Sequence, residues 1–287
     1  YRVHKESSKK EIDKFINILN RLKYNVTYDD SKTVAENIQM LGTIIEEKPA
    51  YKVFIKRLIR VFTEAFYGIK NIGHFGLGIP AYSHFTSPIR RYPNLRVHQV
   101  LDATSFDGQE FINRRKEWLE KISVLFPDTK IYERKTNYEP RNTDQLRADN
   151  IRACEFSNEG ERLAKEVERQ VSNVYGAMYM EQHIGQEFPG LLSGVNQDFG
   201  FVLLENGLTV MVPKGSMKNA IGWDTSIEEI TLLDQENLNI GSPFSVVIEA
   251  VDTKNGEIFA VDSRNYTNED TERSLEKVYK GGPNGNI

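Results

Sequence analysis

The segment His84-Phe85-Thr86-Ser87-Pro88-Ile89-Arg90-Arg91-Tyr92-Pro93-Asn94-Leu95-Arg96-Val97-His98 decides the reading of this chain. Ser87-Pro88 has the form of a helix start, serine at the cap and proline at the first helical position. It predicts a helix that carries Ile89, Leu95 and Val100 inward, with Pro93 in or kinking its first turn. A helix N-terminus offers unpaired amides and the positive end of its dipole. Thr86 and Ser87 add hydroxyls at that point. Arg90 and Arg91 add two guanidinium groups, which fit phosphate oxygens in bidentate fashion. From these residues alone two readings stand: an anion site suited to a phosphodiester, or a capped helix whose arginines pair with surface carboxylates. Helical neighbours point about 100° apart, so one arginine of the pair is expected to reach a phosphate.

Working upstream, Gly73, Gly76, Gly78 and Pro80 forbid a regular helix, so the backbone ahead of the segment turns or extends. Three helices are expected before it. The first follows Ser8, with Glu11 in capping-box position and Ile12, Phe15, Ile16 and Leu19 at helical spacing. The second starts near Ser31–Thr33 and ends before Pro49, and the third runs from Tyr51 to about Ala65. Downstream, helices are expected over 108–125 and from Asn158 to His183, separated by a polar connection through Pro140. At Gly185 the pattern changes to five short β runs, with Asn206-Gly207 and Asn255-Gly256 as hairpin turns. The expected fold class is α+β: a largely helical part, 1–184, then a five-stranded OB-type β-barrel, 185–264, and a flexible tail, 265–287.

The 287 residues, 39% hydrophobic and 27% charged, suit a globular chain of about two domains. The net charge of -4 supplies no bulk polycation. It hides an asymmetry, however: residues 1–101 carry 17 Lys/Arg against 9 Asp/Glu, and residues 184–287 carry 7 against 16. An acidic ligand is drawn to the first third. The single cysteine, Cys154, excludes a disulfide framework and a multi-cysteine zinc site, and reads as a small buried hydrophobe. No apolar run nears the roughly 18 residues of a membrane span, and no signal-peptide pattern opens the chain. A soluble, cytoplasmic, monomeric protein without membrane contact is the expectation. Tyr1-Arg2-Val3-His4 reads as a chain entered in mid-domain.

The segment 84–98 resembles the signature H-[FY]-T-S-P-I-R-R-Y-x-D-L-x-V-H of the RNase II/RNase R family of processive 3'-to-5' exoribonucleases. The likeness continues on both sides: YRVHKESSKKEI at 1–12, NIGHFGLGIPAYSHF at 71–85, CEFSNEGERLAKEVERQ at 154–170, and GLLSGVNQDFGFVLLENG at 190–207, which resembles the opening of the family's S1-type RNA-binding domain. It covers nearly the whole chain outside the tail, in the family's order. It implies part of an enzyme that hydrolyses single-stranded RNA from its 3' end to nucleoside 5'-monophosphates with Mg2+. The alternative is a non-catalytic RNA-binding protein derived from such an enzyme.

Residue by residue, the resemblance makes Arg90 the contact to the scissile phosphate, with Arg91 as second choice, and Glu168 the glutamate that projects toward the catalytic centre. Glu161 and Arg162 match as structural pairing, and Tyr82 and His84 as candidates to line the RNA channel or fill buried roles. In the β module, Phe199 and Phe201 flank Gly200, a point where backbone can approach a ligand. Exposed aromatics on an OB face stack on unpaired bases, and the resemblance favours that over a core role, with Lys214 assisting. The module's acidic balance leaves stacking to carry more of its affinity. Asn94 departs from the family's Asp, Ser7 from its Pro, and Pro213-Lys214 from a commoner Val-His. The family's aspartate cluster lies upstream of the Tyr-Arg-Val-His segment and has no counterpart here. Two-metal hydrolysis needs carboxylates converging on ions about 3.5–4 Å apart. No residue of this chain is therefore read as a metal ligand, and the Mg2+ is expected on residues outside it.

Overall fold

A computed structural model describes residues 1–104, 143–233 and 236–266. The helix expected over 108–125 and the tail beyond residue 266 lie outside these described residues. The helices are α1 (Lys9–Arg21), α2 (Val34–Glu46), α3 (Tyr51–Ile59), α4 (Tyr92–Thr104) and α5 (Thr143–Glu181). The strands are β1 (Arg2–Val3), β2 (Phe66–Tyr67), β3 (Glu187–Phe188), β4 (Gly190–Val195), β5 (Phe199–Leu204), β6 (Thr209–Pro213), β7 (Ala220–Asp224), β8 (Glu229–Leu232), β9 (Val246–Asp252) and β10 (Glu257–Asp262). They fall into two compact units, Tyr1–Lys5 with Glu64–Leu163, and Glu6–Thr63 with Ala164–Ile287.

In the first unit β1 pairs antiparallel with β2, Arg2 opposite Tyr67 and Val3 opposite Phe66. The His4 N–H donates to the Gly73 carbonyl at 3.1 Å, and its own carbonyl accepts from the Phe75 N–H at 3.0 Å. Gly73 (φ 77°) and Gly78 (φ 65°) take the left-handed backbone this turn requires, which a Cβ would penalise. The expected helix start at Ser87-Pro88 is corrected. Pro88–Arg90 form a turn whose Arg91 N–H donates to the Ser87 carbonyl at 3.1 Å, and α4 begins at Tyr92. Pro93 supplies the true start: at the second helical position its missing N–H has no partner to lose. Ile89, fully exposed, and Leu95, 41% exposed, do not face a core among the described residues. The long helix α5 begins fifteen residues before the expected Asn158. Leu146 and Ala153 are buried two turns apart, and the polar residues between them mask that period.

The second unit joins the first three helices to the β module. Ser8 caps α1 by accepting from the Glu11 N–H at 3.3 Å, while the Glu11 carboxylate turns to Lys14 instead of closing the box. The complete capping box belongs to α2, between Thr33 and Glu36. Ile12, Phe15, Ile16 and Leu19 of α1, Leu41 and Ile45 of α2, and Val53, Phe54 and Leu58 of α3 are buried. Each such side chain contributes about 1.5–3 kcal/mol of transfer free energy. Helix α3 stops at Ile59, short of the expected Ala65: the Val61 and Phe62 amides bond back to Leu58 and Ile59, tightening the last turn.

Six strands form one curled sheet in the order β3-β9-β10-β6-β5-β4, a half-barrel of OB type, with β7-β8 as a separate hairpin. There are more strands than the five expected: β3 has only two residues and β8 four, too short to stand out in the sequence, and β7 carries Gly222 and ends on Asp224. Both Asn-Gly turns join neighbouring strands, β5 to β6 and β9 to β10. The sheet interior is packed with Val202, Leu204, Val210, Val212, Ile248 and Ile258. Gly241 (φ 89°) touches α3 so closely that a Cβ there would lie 2.7 Å from that of Ala50. No helix among the described residues is long and apolar enough to cross a membrane.

Candidate nucleic-acid interface

In the first unit the segment 82–91 is laid over a floor of rings and charges. The Tyr82 carbonyl accepts from the Arg2 N–H at 2.9 Å, which fixes the segment to β1. The Arg2 guanidinium donates to both carboxylate oxygens of Glu161, at 2.5 and 2.8 Å, and lies 4.6 Å from the centre of the Tyr67 ring. Asn158 of α5 clamps Tyr67, accepting from its N–H at 2.7 Å and donating to its carbonyl at 3.0 Å. Tyr67 Oη and His84 Nδ1 lie 2.9 Å apart. Tyr82 stands edge-on to both His84 and His74, and His74 stacks on His4 at 5.1 Å. His98 stacks on Phe85 at 4.1 Å, a packing role.

Burial pushes the Tyr67 phenol up and the His84 imidazole down, and the Arg91 and Arg2 charges push His84 further the same way. His84 is therefore neutral near pH 7, and the phenol, which keeps its proton, can donate to Nδ1. The same influence places Arg91 within electrostatic reach of His84 and Tyr67. Arg90 is exposed on the turn, as is Thr86, and Ser87 is half-buried. The two arginines thus differ in setting: Arg91 is half-buried and within electrostatic reach of His84 and Tyr67, while Arg90 is exposed. Behind them Asn94 is 1% exposed, with neither amide atom hydrogen bonded. Cys154 is half-buried, and burial pushes its thiol up, so it stays protonated and unreactive.

The lowered histidine has a consequence for stability. In the unfolded chain His84 titrates near 6.5. Below that pH the unfolded state binds more protons than the native one, so stability present above pH 6.5 is lost as pH falls toward the depressed native value. His74, held down by burial and by His4, acts in the same direction. The melting temperature is expected to drop between pH 7.5 and 5.5, and to drop less in His84→Asn. An acid-induced rise would contradict this assignment.

In the second unit Phe199 and Phe201 alternate along β5 with buried Gly200 and Val202, and both lie half-exposed outside the core. Phe201 pairs across β6 with Met211, which in turn pairs with Phe259 of β10, and the Phe199 and Phe259 rings are 6.2 Å apart. An aromatic face therefore crosses three strands, and Phe259 belongs to it. The signal for Phe259 was the alternation of buried Ile258 and Ala260 around it. Gly200 faces the opposite way from the expected ligand approach: a Cβ there would meet Ile230, Leu192 and Trp223. Lys214 follows β6 and places its ammonium 5.8 Å from the Trp223 ring, whose Nε1–H donates to the Asn196 carbonyl at 2.6 Å. Glu168 is exposed on the second unit's part of α5.

Among the described residues no group of three or more His, Cys, Asp or Glu converges to hold a metal ion. These described residues do not fit a Mg2+ site.

Comparison with known proteins agrees with this architecture. Residues 1–107 match the RNB domain family. The chain is 31% identical over 255 residues to ribonuclease R of Ureaplasma parvum, covering 87% of this chain and 31% of that protein. It is 26% identical to ribonuclease R 1 of Lactococcus lactis, over 90% of this chain and 28% of that protein. The apo form of Mycoplasma genitalium RNase R shares its fold over 91% of this chain, with a TM-score of 0.73 at 20% identity, and 37% of that chain is covered. The same enzyme in complex with ribose-methylated single-stranded RNA superposes equally well, with a TM-score of 0.73. The chain spans about a third of the length of the curated relatives it matches. With its RNB-type first part, its OB-type half-barrel and these relatives, the chain is a homologue of the RNase II/RNase R exoribonucleases.

Proposed function

We propose that this chain is the RNA-holding C-terminal part of a processive 3'-to-5' exoribonuclease that releases nucleoside 5'-monophosphates from single-stranded RNA. Its domains in this reading are an RNB-type part, 1–184, and an S1-type RNA-binding module, 185–264. The observation that carries the reading is the segment 82–91, held on Arg2, Tyr67 and Glu161 so that two arginines stand on one turn ahead of α4. Arg90, free in solvent, donates to the oxygens of the scissile phosphate and stabilises charge developing there. Arg91 sets the electrostatics of the ring floor and is the reserve contact. Glu168 is the carboxylate that the family resemblance assigns to the reaction, and Tyr82, His84, Thr86 and Ser87 line the path of the strand. Phe199 and Phe201 stack on bases, with Lys214, just beyond β6, assisting. The Mg2+ belongs to carboxylates outside this chain, and it would supply the activated water and the charge neutralisation of phosphodiester hydrolysis. The coding sequence ahead of Tyr1 tests the reading: a cluster of aspartates there supports it, and an open reading frame without one leaves an RNA-binding protein that does not cut.

A further inference from the structure

We infer that α3 carries a second phosphate-binding strip in the cleft beside Phe201, so that the OB-type module takes single-stranded RNA with cations supplied by the helices of residues 6–63. The inference rests on the proposed RNA-binding role of the aromatic face and adds to it a set of residues outside the β module. Charge along the chain separates a basic first third from an acidic last third, and folding brings the two together in one unit.

The cleft has a volume of about 350 Å³ and is lined by Lys56, Arg57 and Arg60 of α3 and its end, and by Ser193, Phe201 and Thr209 of the sheet. A second cleft of about 380 Å³ continues on the other side of Arg57, Arg60 and Glu228 toward Arg21. Arg57 is fully committed. It makes a bidentate pair with Glu228 at 2.5 and 2.7 Å and donates twice to the Ser193 carbonyl, at 2.7 and 3.2 Å. It forms the floor, and its charge cancels that of Glu228. Gly194 keeps this floor open to the ring: a Cβ there would stand 3.4 Å from Arg57 Nη2 and 3.6 Å from Phe201 Cδ2.

Lys56 and Arg60 stand above this floor. Both are exposed, and neither side chain makes a hydrogen bond or ion pair among the described residues. They are four residues apart and so share one side of the helix, about one turn from each other. That separation is close to that of successive phosphates on an extended strand. Lys14 and Arg21 contribute less, since Lys14 is paired with Glu11 at 2.7 Å and Arg21 lies in the field of Asp224. A ligand that offers repeating anions to Lys56 and Arg60 and a planar group to Phe201 in the same cleft is a single-stranded polynucleotide. An acidic peptide would satisfy the cations and leave the ring without a partner.

The test is equilibrium binding of a labelled single-stranded oligoribonucleotide to the whole chain across a salt series. Lys56→Ala/Arg60→Ala should reduce the magnitude of the log-log salt slope by about 1.4, from two lost single-strand phosphate contacts at about 0.7 each. The same slope change corresponds to about 25-fold weaker binding at 0.1 M salt. Lys10→Ala/Lys23→Ala removes equal charge from exposed positions elsewhere in the unit and should cost much less. Phe199→Ala/Phe201→Ala should weaken binding, by about 5- to 150-fold per lost stack, and leave the slope unchanged. Equal losses in the two lysine-containing pairs would reduce the effect to bulk charge and overturn the strip. Normal binding by Lys56→Ala/Arg60→Ala beside a weakened phenylalanine variant would overturn the strip alone. Failure of the unaltered chain to bind would overturn the RNA-holding reading on which it rests. Melting curves of each variant check folding, and the mutated cations, whose side chains are unpaired among the described residues, should leave them unchanged.

Discussion

In a longer protein that carries the upstream residues, Arg90→Ala should lower turnover by about 100- to 1000-fold while RNA affinity falls much less, the pattern of a donor that acts on charge present only in the transition state. The solvent-facing position of Arg90 supports this split, because its removal leaves the ring floor, with Arg2, Glu161 and Arg91, in place. Arg90→Lys should recover only part of the rate, since an ammonium offers a point charge where a guanidinium offers a planar fork. Single-turnover kinetics beside equilibrium binding separates the two effects. Unchanged turnover in Arg90→Ala would move the phosphate contact to Arg91.

A comparable loss of stability is expected from the Arg57–Glu228 pair. Its side chains are 12% and 23% exposed, and Arg57 also holds the Ser193 carbonyl. Arg57→Met leaves a part-buried carboxylate and a backbone carbonyl without their donors. Breaking a buried pair from one side costs about 3–5 kcal/mol, and partial exposure here lowers that to about 2–3 kcal/mol. Chemical denaturation of the second unit should show it, and Arg57→Met/Glu228→Leu should recover much of the loss. A double variant as unstable as the single one would mean that the loss comes from the Ser193 carbonyl left without its donor, and not from a stranded Glu228 carboxylate.

This pair also changes how one experiment must be done. Removing residues 186–287 is attractive on paper as a way to isolate the basic first third. The deletion would strip α3 of its contacts to the sheet, at Gly241 over Ala50 and Phe54 and at Ser193 and Glu228 on Arg57. Point variants on the intact chain avoid this.

Much of the architecture was legible because local signals and tertiary context agreed. The start of α2 near Ser31–Thr33, the apolar row of α1 and the two Asn-Gly turns each formed where their residue types place them. The misplaced elements share a physical cause. Ser87-Pro88 is a good helix start in isolation, yet a proline six residues later offers a second start, and the chain used Pro93. The early turns of α5 are built from polar residues around Leu146 and Ala153, so packing and not periodicity reveals them. Sequence order also hides what folds together: residues 6–63 read as part of the helical half, and they sit in one unit with the β module. Alternation along β5 puts Phe199 and Phe201 on one face outside the core, while their assignment to RNA rests on the family resemblance. Arg2 and Tyr67 could not be found that way, since their importance lies in β1–β2 pairing and in contacts to Glu161 and His84 from distant parts of the chain.

The most direct test of the account is to incubate the chain, as it stands, with a labelled single-stranded oligo(A) and Mg2+, following both bound RNA and small products. The described residues hold no converging set of carboxylates or imidazoles for a metal. The account predicts that RNA is bound and recovered at full length. Accumulation of mononucleotides would contradict it by placing a complete catalytic centre within these 287 residues, and RNA that stays unbound would contradict it by denying the chain its RNA-holding role.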